Sequence, residues 1–399
     1  MATENKKYIP ALRYPEFQNN GEWKMCKLSD IAARKGKKNA KGIELPVYTN
    51  SAINGVISQE DYFDREIVTK DNLVNYGIIE PNDFVYNPRV SVAAPVGPIS
   101  RNKLSRGIMS PLYLIFGFNG GDINFFEHYF KGNSWHSYLR AKANYGARFD
   151  RINIGTKEFM DMPIPYPSLA EQKKIADCLL SMDKYIDATK RKLELLKEHK
   201  KGLMQRLFPA KGKTTPELRF PEFQNDGEWI PRPLSDILNY EQPIPYIVED
   251  DTYKKEGTPV LTANKGFILG YTDESFGIYN KLPVIIFDDF TTDKKYVDFS
   301  FKIKSSAMKL LTLKDEERDN LRFIFECMSN IVFEEKEHKR YYISEYQHIN
   351  IYVPSSLQEQ NQIADTLLSI DKQISEYDKK IKALELHKKG LMQQLFPKL

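Results

Sequence analysis

At 399 residues, with 58 Lys and Arg against 54 Asp and Glu, the chain is long enough for two or three domains with their own cores, and its small net charge of +4 does not by itself argue for a polyanionic partner. No uninterrupted apolar run approaches the roughly 20 residues that cross a bilayer, and the start MATENKKYIP lacks the apolar stretch of a signal peptide; a cytoplasmic protein without membrane association is expected. Cys26, Cys178 and Cys327 are odd in number and far apart, which suits reduced thiols better than a disulfide framework or a zinc site.

In chain order, a lead-in PALRYPEFQNNGEWKMCKLSDI at residues 10–31 comes first, followed by RKGKKNAK at 34–41, five cations in eight residues without an acid. That run reads as a phosphate contact or as a solvated loop. Short β-rich runs separated by turn signals follow, among them DFVYNP and SPLYLIFGF, then NYGARFDRINI. At Ser168 a long helix begins, with Glu171 three residues on in the pattern of a capping box. Its apolar seam steps by four and three through Ile175, Leu179, Met182, Ile186, Thr189, Leu193, Leu196, Lys200, Leu203 and Leu207.

The chain then repeats itself. PELRFPEFQNDGEWIPRPLSDI at residues 216–237 matches the first lead-in at fifteen of 22 positions. A second block, with LPVIIFDDF, YVDFSFKI and the helical ERDNLRFIFECMSNI, differs from the first and is 18 residues shorter. A second helix opens at Ser356 and Glu359, with its seam at Ile363, Leu367, Ile370, Ile374, Tyr377, Ile381, Leu384, Lys388, Leu391 and Leu395. Both copies end on GLMQ and LFP, and Gly202 and Gly390, just after the seam lysines, permit the helices to bend or fray. The matched His199 and His387 have no second ligand at helical spacing and are not read as a metal site.

The chain is thus a duplicated frame around two unlike mixed α and β inserts. Two copies are too few for a solenoid, so a pseudo-twofold molecule is expected. About 40 helical residues span about 60 Å, too long a stripe for one small domain to cover, and antiparallel pairing of the two copies is the economical solution. The alternative is two helices packed separately on their own domains.

No catalytic or metal-binding set is expected. YNPRV lacks the Asn-Pro-Pro-aromatic sequence of an adenine methyltransferase and no glycine-rich cofactor loop precedes it. Asp288 and Asp289 of FDDF have no Glu-x-Lys partner for metal-dependent cleavage and read as a strand end. A phosphate loop and a nucleophile elbow are absent from the sequence.

The lead-in LRFPEF…GEW…LSDI, the junction RINIGTKEFMDMPIPYPSLAEQKKIADCL, the ending KKGLMQRLFP and the run VIIFDDFTTDKKYVDFSFKIKSSAMKLL resemble the specificity subunit of type I restriction-modification systems over essentially the whole chain. The resemblance implies an α+β fold, with two mixed α/β target-recognition domains separated by two long antiparallel coiled-coil helices in a pseudo-twofold internal repeat. The expected divisions are residues 1–165 and 210–354 for the domains with their lead-ins, and 166–209 and 355–399 for the helices. It implies a non-catalytic subunit that reads a split, asymmetric target in double-stranded DNA. The partners would be two modification subunits that carry S-adenosylmethionine and methylate adenine, and two restriction subunits that use ATP and Mg2+; no cofactor is implied for this chain.

On that reading Arg34, Lys35, Lys37, Lys38, Arg148, Arg151, Lys294, Lys295, Lys339 and Arg340 are the candidate phosphate contacts, with Asn87, Arg89, Tyr145, Thr291 and Thr292 nearer the bases. The apolar seam residues, from Ile175 to Leu207 and from Ile363 to Leu395, are the coiled-coil or partner-subunit interface. Two departures stand out: the second junction QHINIYVPSSLQEQ lacks the proline-rich approach DMPIPYPSLAEQ, so the second helix is expected to start at a different angle, and KRYYISEYQHI replaces NYGARFDRI, leaving that element without a counterpart. The competing classes are a coiled-coil scaffold that docks other proteins without reading DNA, and a self-sufficient methyltransferase.

Overall fold

The computed structural model describes residues 8–60, 70–143, 150–263, 266–334 and 339–397. The chain divides into two compact units, Met1–Lys190 with Lys379–Leu399, and Arg191–Asp378.

In the first unit, β1 (Lys24–Lys27) leads through the short helix α1 (Leu28–Ile31) to β2 (Ala32–Arg34), β3 (Val47–Ser51), β4 (Gly55–Ser58), β5 (Gly77–Ile79), β6 (Phe84–Tyr86), β7 (Ile99–Arg101), β8 (Gly107–Met109) and β9 (Leu114–Phe118). Helices α2 (Ile123–Lys131), α3 (His136–Lys142) and α4 (Thr156–Met160) precede β10 (Pro163–Tyr166) and the long α5 (Leu169–Leu207). One sheet runs β2-β9-β6-β7 and another β4-β3-β8-β5, while β10 pairs antiparallel with β1. The central strand β6 is buried along its whole length, as its uninterrupted apolar FVY requires.

In the second unit, β11 (Ile230–Pro233), α6 (Leu234–Ile237), β12 (Leu238–Glu241), β13 (Thr258–Leu261), β14 (Ile268–Thr272), β15 (Val284–Asp288), β16 (Lys294–Val297), β17 (Lys302–Ile303) and β18 (Met308–Leu313) precede α7 (Leu321–Ser329), β19 (Asn350–Val353) and α8 (Leu357–Leu395). Its sheets run β12-β18-β15-β16 and β14-β13-β17, and β19 pairs with β11. The two inserts that look unrelated in sequence therefore share a strand order. Even the parallel pairing of β3 with β8 recurs as β13 with β17; the first unit adds β5, which pairs with β8.

The repeated residues are the ones that tie each insert to its helices. Ser168 Oγ accepts the Glu171 N–H at 3.3 Å, as Ser356 Oγ accepts that of Glu359, so half of each capping box is present. The Glu171 carboxylate does not complete the box: it takes Arg13 through Nε at 2.7 Å and Nη2 at 2.8 Å, and the Trp23 indole N–H at 3.0 Å. Glu359 takes Arg219 and Trp229 in the same way. Both carboxylates are buried, and a buried charge persists only when paired and hydrogen-bonded. The repeated lead-in is therefore a clasp on the start of the helix. The adjacent glutamines serve the other side: Gln172 Oε1 accepts the backbone N–H of Asp122, which caps α2, and Gln360 Oε1 that of Asn320, which caps α7. Identical bonds at both helix starts mean that the second junction, despite its fewer prolines, positions its helix with the same contacts as the first.

The ending LFP completes the cores. Leu395 and Phe396, at the end of α8, join the first unit's core with Phe125, Tyr129, Ile175 and Leu179, and the Phe396 and Phe125 rings lie 5.2 Å apart. Leu207 and Phe208, at the end of α5, join the second unit's core with Trp229, Phe323, Ile363 and Leu367. Each such side chain contributes about 1.5–3 kcal/mol by leaving water. The seam residues Ile175, Leu179, Met182, Ile186, Leu193, Leu196, Leu203 and Leu207 are buried or half-buried, as are Ile363, Leu367, Ile370, Ile374, Ile381, Leu384, Leu391 and Leu395.

Within the first unit α8 runs antiparallel to α5, since Asp183 meets Lys388 while Lys190, further along α5, meets the earlier Glu385 at 2.6 Å. The lysines on the seam thus have partners: Lys388 pairs with Asp183, and in the second unit Lys200 pairs with Asp371 at 2.8 Å. Both helices continue through Gly202 and Gly390 without a break, correcting the expectation of a bend there; the backbone hydrogen bonds and the apolar residues beyond outweigh the roughly 1 kcal/mol preference against helical glycine.

Candidate nucleic-acid interface

The candidate residues of the first insert gather around the turn after β6. Residues 87–98 form this turn, and its base is fixed to the chain before α4: Val90 N–H donates to Asp150 O at 3.0 Å and Ile152 N–H to Pro88 O at 2.9 Å, forming the bridge between Arg89 and Arg151. Arg89 is exposed and Arg151 half-buried. Arg34, at the end of β2 opposite Phe116, lines with Arg151, Leu112, Tyr113 and Asn153 a cavity of about 470 Å³. Three arginines separated by more than fifty residues in sequence thus meet at one edge of the sheet.

The cationic run lies beside them with its backbone held and its side chains exposed, Lys35 reaching back to a buried carboxylate. Arg34, Lys35, Lys37 and Lys38 are all exposed, yet Lys35 N–H donates to Ile115 O and Lys37 O accepts from Ile78 N–H at 2.9 Å. Gly36 takes a φ of +81° against Ile115, where a Cβ would be both strained and crowded. Lys35 Nζ also lies 3.1 Å from the buried Asp83 carboxylate. Asn87 differs from the others: it is buried, donating Nδ2–H to Asn50 O at 3.0 Å and accepting the Arg89 N–H on Oδ1 at 3.0 Å. Its side chain shapes the turn that presents Arg89. Tyr145 and Arg148 lie outside the described residues.

In the second unit the equivalent turn, after β15, is shorter. Asp288 Oδ1 accepts the N–H groups of Phe290 and Thr291 at 2.9 and 3.0 Å, and Thr292 has a φ of +52°. Asp289 is buried, 3.1 Å from Lys309 Nζ, and takes the Tyr342 N–H at 2.8 Å while its carbonyl takes that of Tyr341. The FDDF pair therefore closes a strand and anchors the segment before β19. Among the described residues no group of three His, Cys, Asp or Glu is arranged to hold a metal. Thr291 and Arg340 are exposed on this edge, with the Arg340 guanidinium 5.9 Å from the Phe290 ring.

Lys294 is half-buried against Tyr346, with its Nζ 3.3 Å from the hydroxyl, and burial pushes its ammonium pKa down. Lys295 is half-buried, Thr292 buried, and Lys339 pairs with Glu345 at 2.6 Å. Tyr341 and Tyr342 hold the post-strand turn through the Asp289 carbonyl and carboxylate, in the place where residues 150–152 hold it by backbone pairing in the first unit. KRYYISEYQHI thus contacts the same turn as the first unit's segment, but partly through a side chain, the Asp289 carboxylate. Leu112 and Tyr113, from the turn between β8 and β9, escaped the sequence reading, since a connecting turn carries no periodic signal.

The type I restriction modification DNA specificity domain model matches residues 20–198. The specificity subunit of the Escherichia coli type I restriction enzyme EcoR124I/EcoR124II is 47% identical over 146 residues, 35% of this chain and 36% of that protein; this match spans about a third of the relative's length. The MjaVIII specificity subunit of Methanocaldococcus jannaschii is 24% identical across 98% of this chain and 95% of its own. The crystal structure of the type I S subunit from M. genitalium superposes with a TM-score of 0.65 at 14% identity, covering 98% of this chain and 99% of that one. Its likeness shows one shared fold through both inserts and both helices, and within that fold residues 20–198 are similar to the type I restriction modification DNA specificity domain.

Proposed function

We propose that this chain is the non-catalytic address-reading subunit of a type I restriction-modification complex, and that its two inserts each read one half of a bipartite, asymmetric DNA target. The reading boundaries are residues 32–165 and 238–353, within domains 1–165 and 210–354, and the helical segments 166–209 and 355–399 set the unread gap. The observation that carries this reading is that two inserts of unlike sequence share one strand order and each expose an arginine at the post-strand turn or beside it, Arg89 in the first and Arg340 against Phe290 in the second. A shared scaffold with divergent tips is what a protein needs to read two different half-sites, because phosphate contacts position it while side chains at base edges specify.

On this proposal two modification subunits bring S-adenosylmethionine and methylate adenine, two restriction subunits bring ATP and Mg2+, and this chain contributes no cofactor. Arg34, Lys37, Lys38, Arg151 and Arg340 face the phosphates, and Arg89 the base edges. Lys35, Lys294, Lys295 and Lys339 are weaker phosphate candidates, being paired or half-buried. Arg148 keeps its sequence-based assignment as a phosphate contact, and Tyr145, Thr291 and Thr292 theirs as neighbours of the bases.

The test is to exchange residues 32–165 for the insert of a relative and to read the methylome of cells that also express the modification subunit. One half of the target should change and the other persist; alteration of both halves overturns the division. Neutralising Lys37 or Arg340 should lower the salt slope of binding by about one unit, and an unchanged slope rejects that residue as a phosphate contact.

A further inference from the structure

We infer that Val92, at the tip of the turn after β6, is a specificity-determining residue that packs against the 5-methyl group of a thymine in the half-site read by the first insert. This rests on the DNA-reading function proposed above and deepens it by naming a base feature. Val92 is completely exposed, at 105% of its reference area, and it lies three residues from the exposed Arg89.

The tip is built to hold it there. Ser91 and Ala94 exchange backbone hydrogen bonds of 3.0 and 3.1 Å across Val92 and Ala93, and Ser91 Oγ accepts the Ala94 N–H a second time. Below them, Gly97 N–H donates to Ala94 O, the Tyr86 hydroxyl donates to Val96 O at 3.0 Å, and Asn87 N–H donates to Pro98 O. Gly97 has a φ of +82°, and a Cβ there would stand 2.1 Å from Asn87 O, so no other residue fits without moving the turn. A closed turn with fixed ends presents its tip without an ordering cost on binding.

A β-branched apolar residue in full solvent, three residues from an exposed arginine, has one counterpart on duplex DNA that the arginine does not satisfy. In the major groove the only apolar group among the base edges is the thymine methyl, and apolar side chains read it by contact. The second unit has a shorter turn at the same place, with Thr291 exposed and no aliphatic tip, so the methyl contact belongs to the first half-site alone. Burial of one methyl-sized group is worth about 0.8 kcal/mol, close to fourfold in affinity.

The experiment uses the full-length chain with its modification subunit and duplexes in which each thymine of the first half-site is replaced in turn by deoxyuridine, removing only the methyl. Wild type should lose about fourfold at one position, while Val92→Ala should bind the thymine duplex about fourfold more weakly and be indifferent to deoxyuridine there; Val92→Ile should retain the discrimination. Four results overturn the inference: a half-site of G·C pairs alone, tolerance of deoxyuridine at every position by wild type, the same deoxyuridine penalty in Val92→Ala, or an equal loss by Val92→Ala on every duplex, which would seat a protein partner on this tip. Absence of any sequence-specific binding by wild type would instead reject the DNA-reading function and the thymine contact with it.

Discussion

Replacing Glu171 by alanine tests the clasp that explains why the lead-in is written twice. The carboxylate is 1% exposed and accepts three bonds, two from Arg13 and one from Trp23; the Arg13 side chain is itself 7% exposed. Its removal leaves a guanidinium in the protein with one remaining bond, to Gly21 O. Stranding one member of a buried pair costs about 3–5 kcal/mol, whereas replacing both by apolar groups of similar volume is often close to neutral. Glu171→Ala and Arg13→Met should therefore each destabilise the first unit by about 3–5 kcal/mol, and Arg13→Met combined with Glu171→Leu should cost less than either. The assay is urea unfolding followed by tryptophan fluorescence in a Trp229→Phe background, so that Trp23 and Trp135 report the first unit alone, with midpoint and slope compared for each variant. Additive losses in the double variant, or a cost below about 1 kcal/mol for Glu171→Ala, would refute the reasoning.

The seam lysines should differ in weight. Among the described residues, Lys388→Met leaves Asp183 with His128, 3.9 Å away, as its one basic partner, while Lys200→Met leaves Asp371 still held by Arg322; urea unfolding should show the former to be costlier by about 1 kcal/mol, and equal losses would count against the pairing. His128 makes the first unit sensitive to acid. Burial, with Lys131 and Lys388 nearby, pushes its imidazole down to about 4 against the opposing pull of Asp183, so the folded state keeps it neutral where the unfolded chain binds a proton. That contribution, of order ~3 kcal/mol, is fully present above pH 6.5 and is lost as pH falls towards 4. His136, also pushed down to about 4 by burial and by Arg140, acts in the same direction, so His128→Gln should make the stability slope between pH 6.5 and 4 shallower without abolishing it; an unchanged slope would remove His128 from the account.

Much of the frame is local in origin and therefore legible in the sequence. The serine that caps each helix acts three residues away, and the heptad seam repeats every few positions, so spacing alone marks where α5 and α8 begin and which stripe is covered. The duplication marks the residues that have to recur, without saying what they touch. Partners across space were not legible. Glu171 reads as half of a capping box, yet its carboxylate is claimed by Arg13, 158 positions away. Burial makes that charge-assisted bond stronger than a return to its own backbone.

The two inserts show the same limit from the other side. Their sequences share almost nothing because a strand order asks only for apolar runs of suitable length, which FVY and VIIFD meet equally well, and because the segment beside the turn is held by backbone pairing in the first unit and through Asp289 in the second. Sequence alone determined the repeated frame, the helix starts and the cationic run. Only the tertiary structure decided that unlike inserts are one fold, that Asn87 supports a turn whose Arg89 is presented to solvent, and that Arg34, Arg89 and Arg151 share an edge. Long-range pairing is fixed by the summed packing of the whole core, and no short stretch of chain contains that sum.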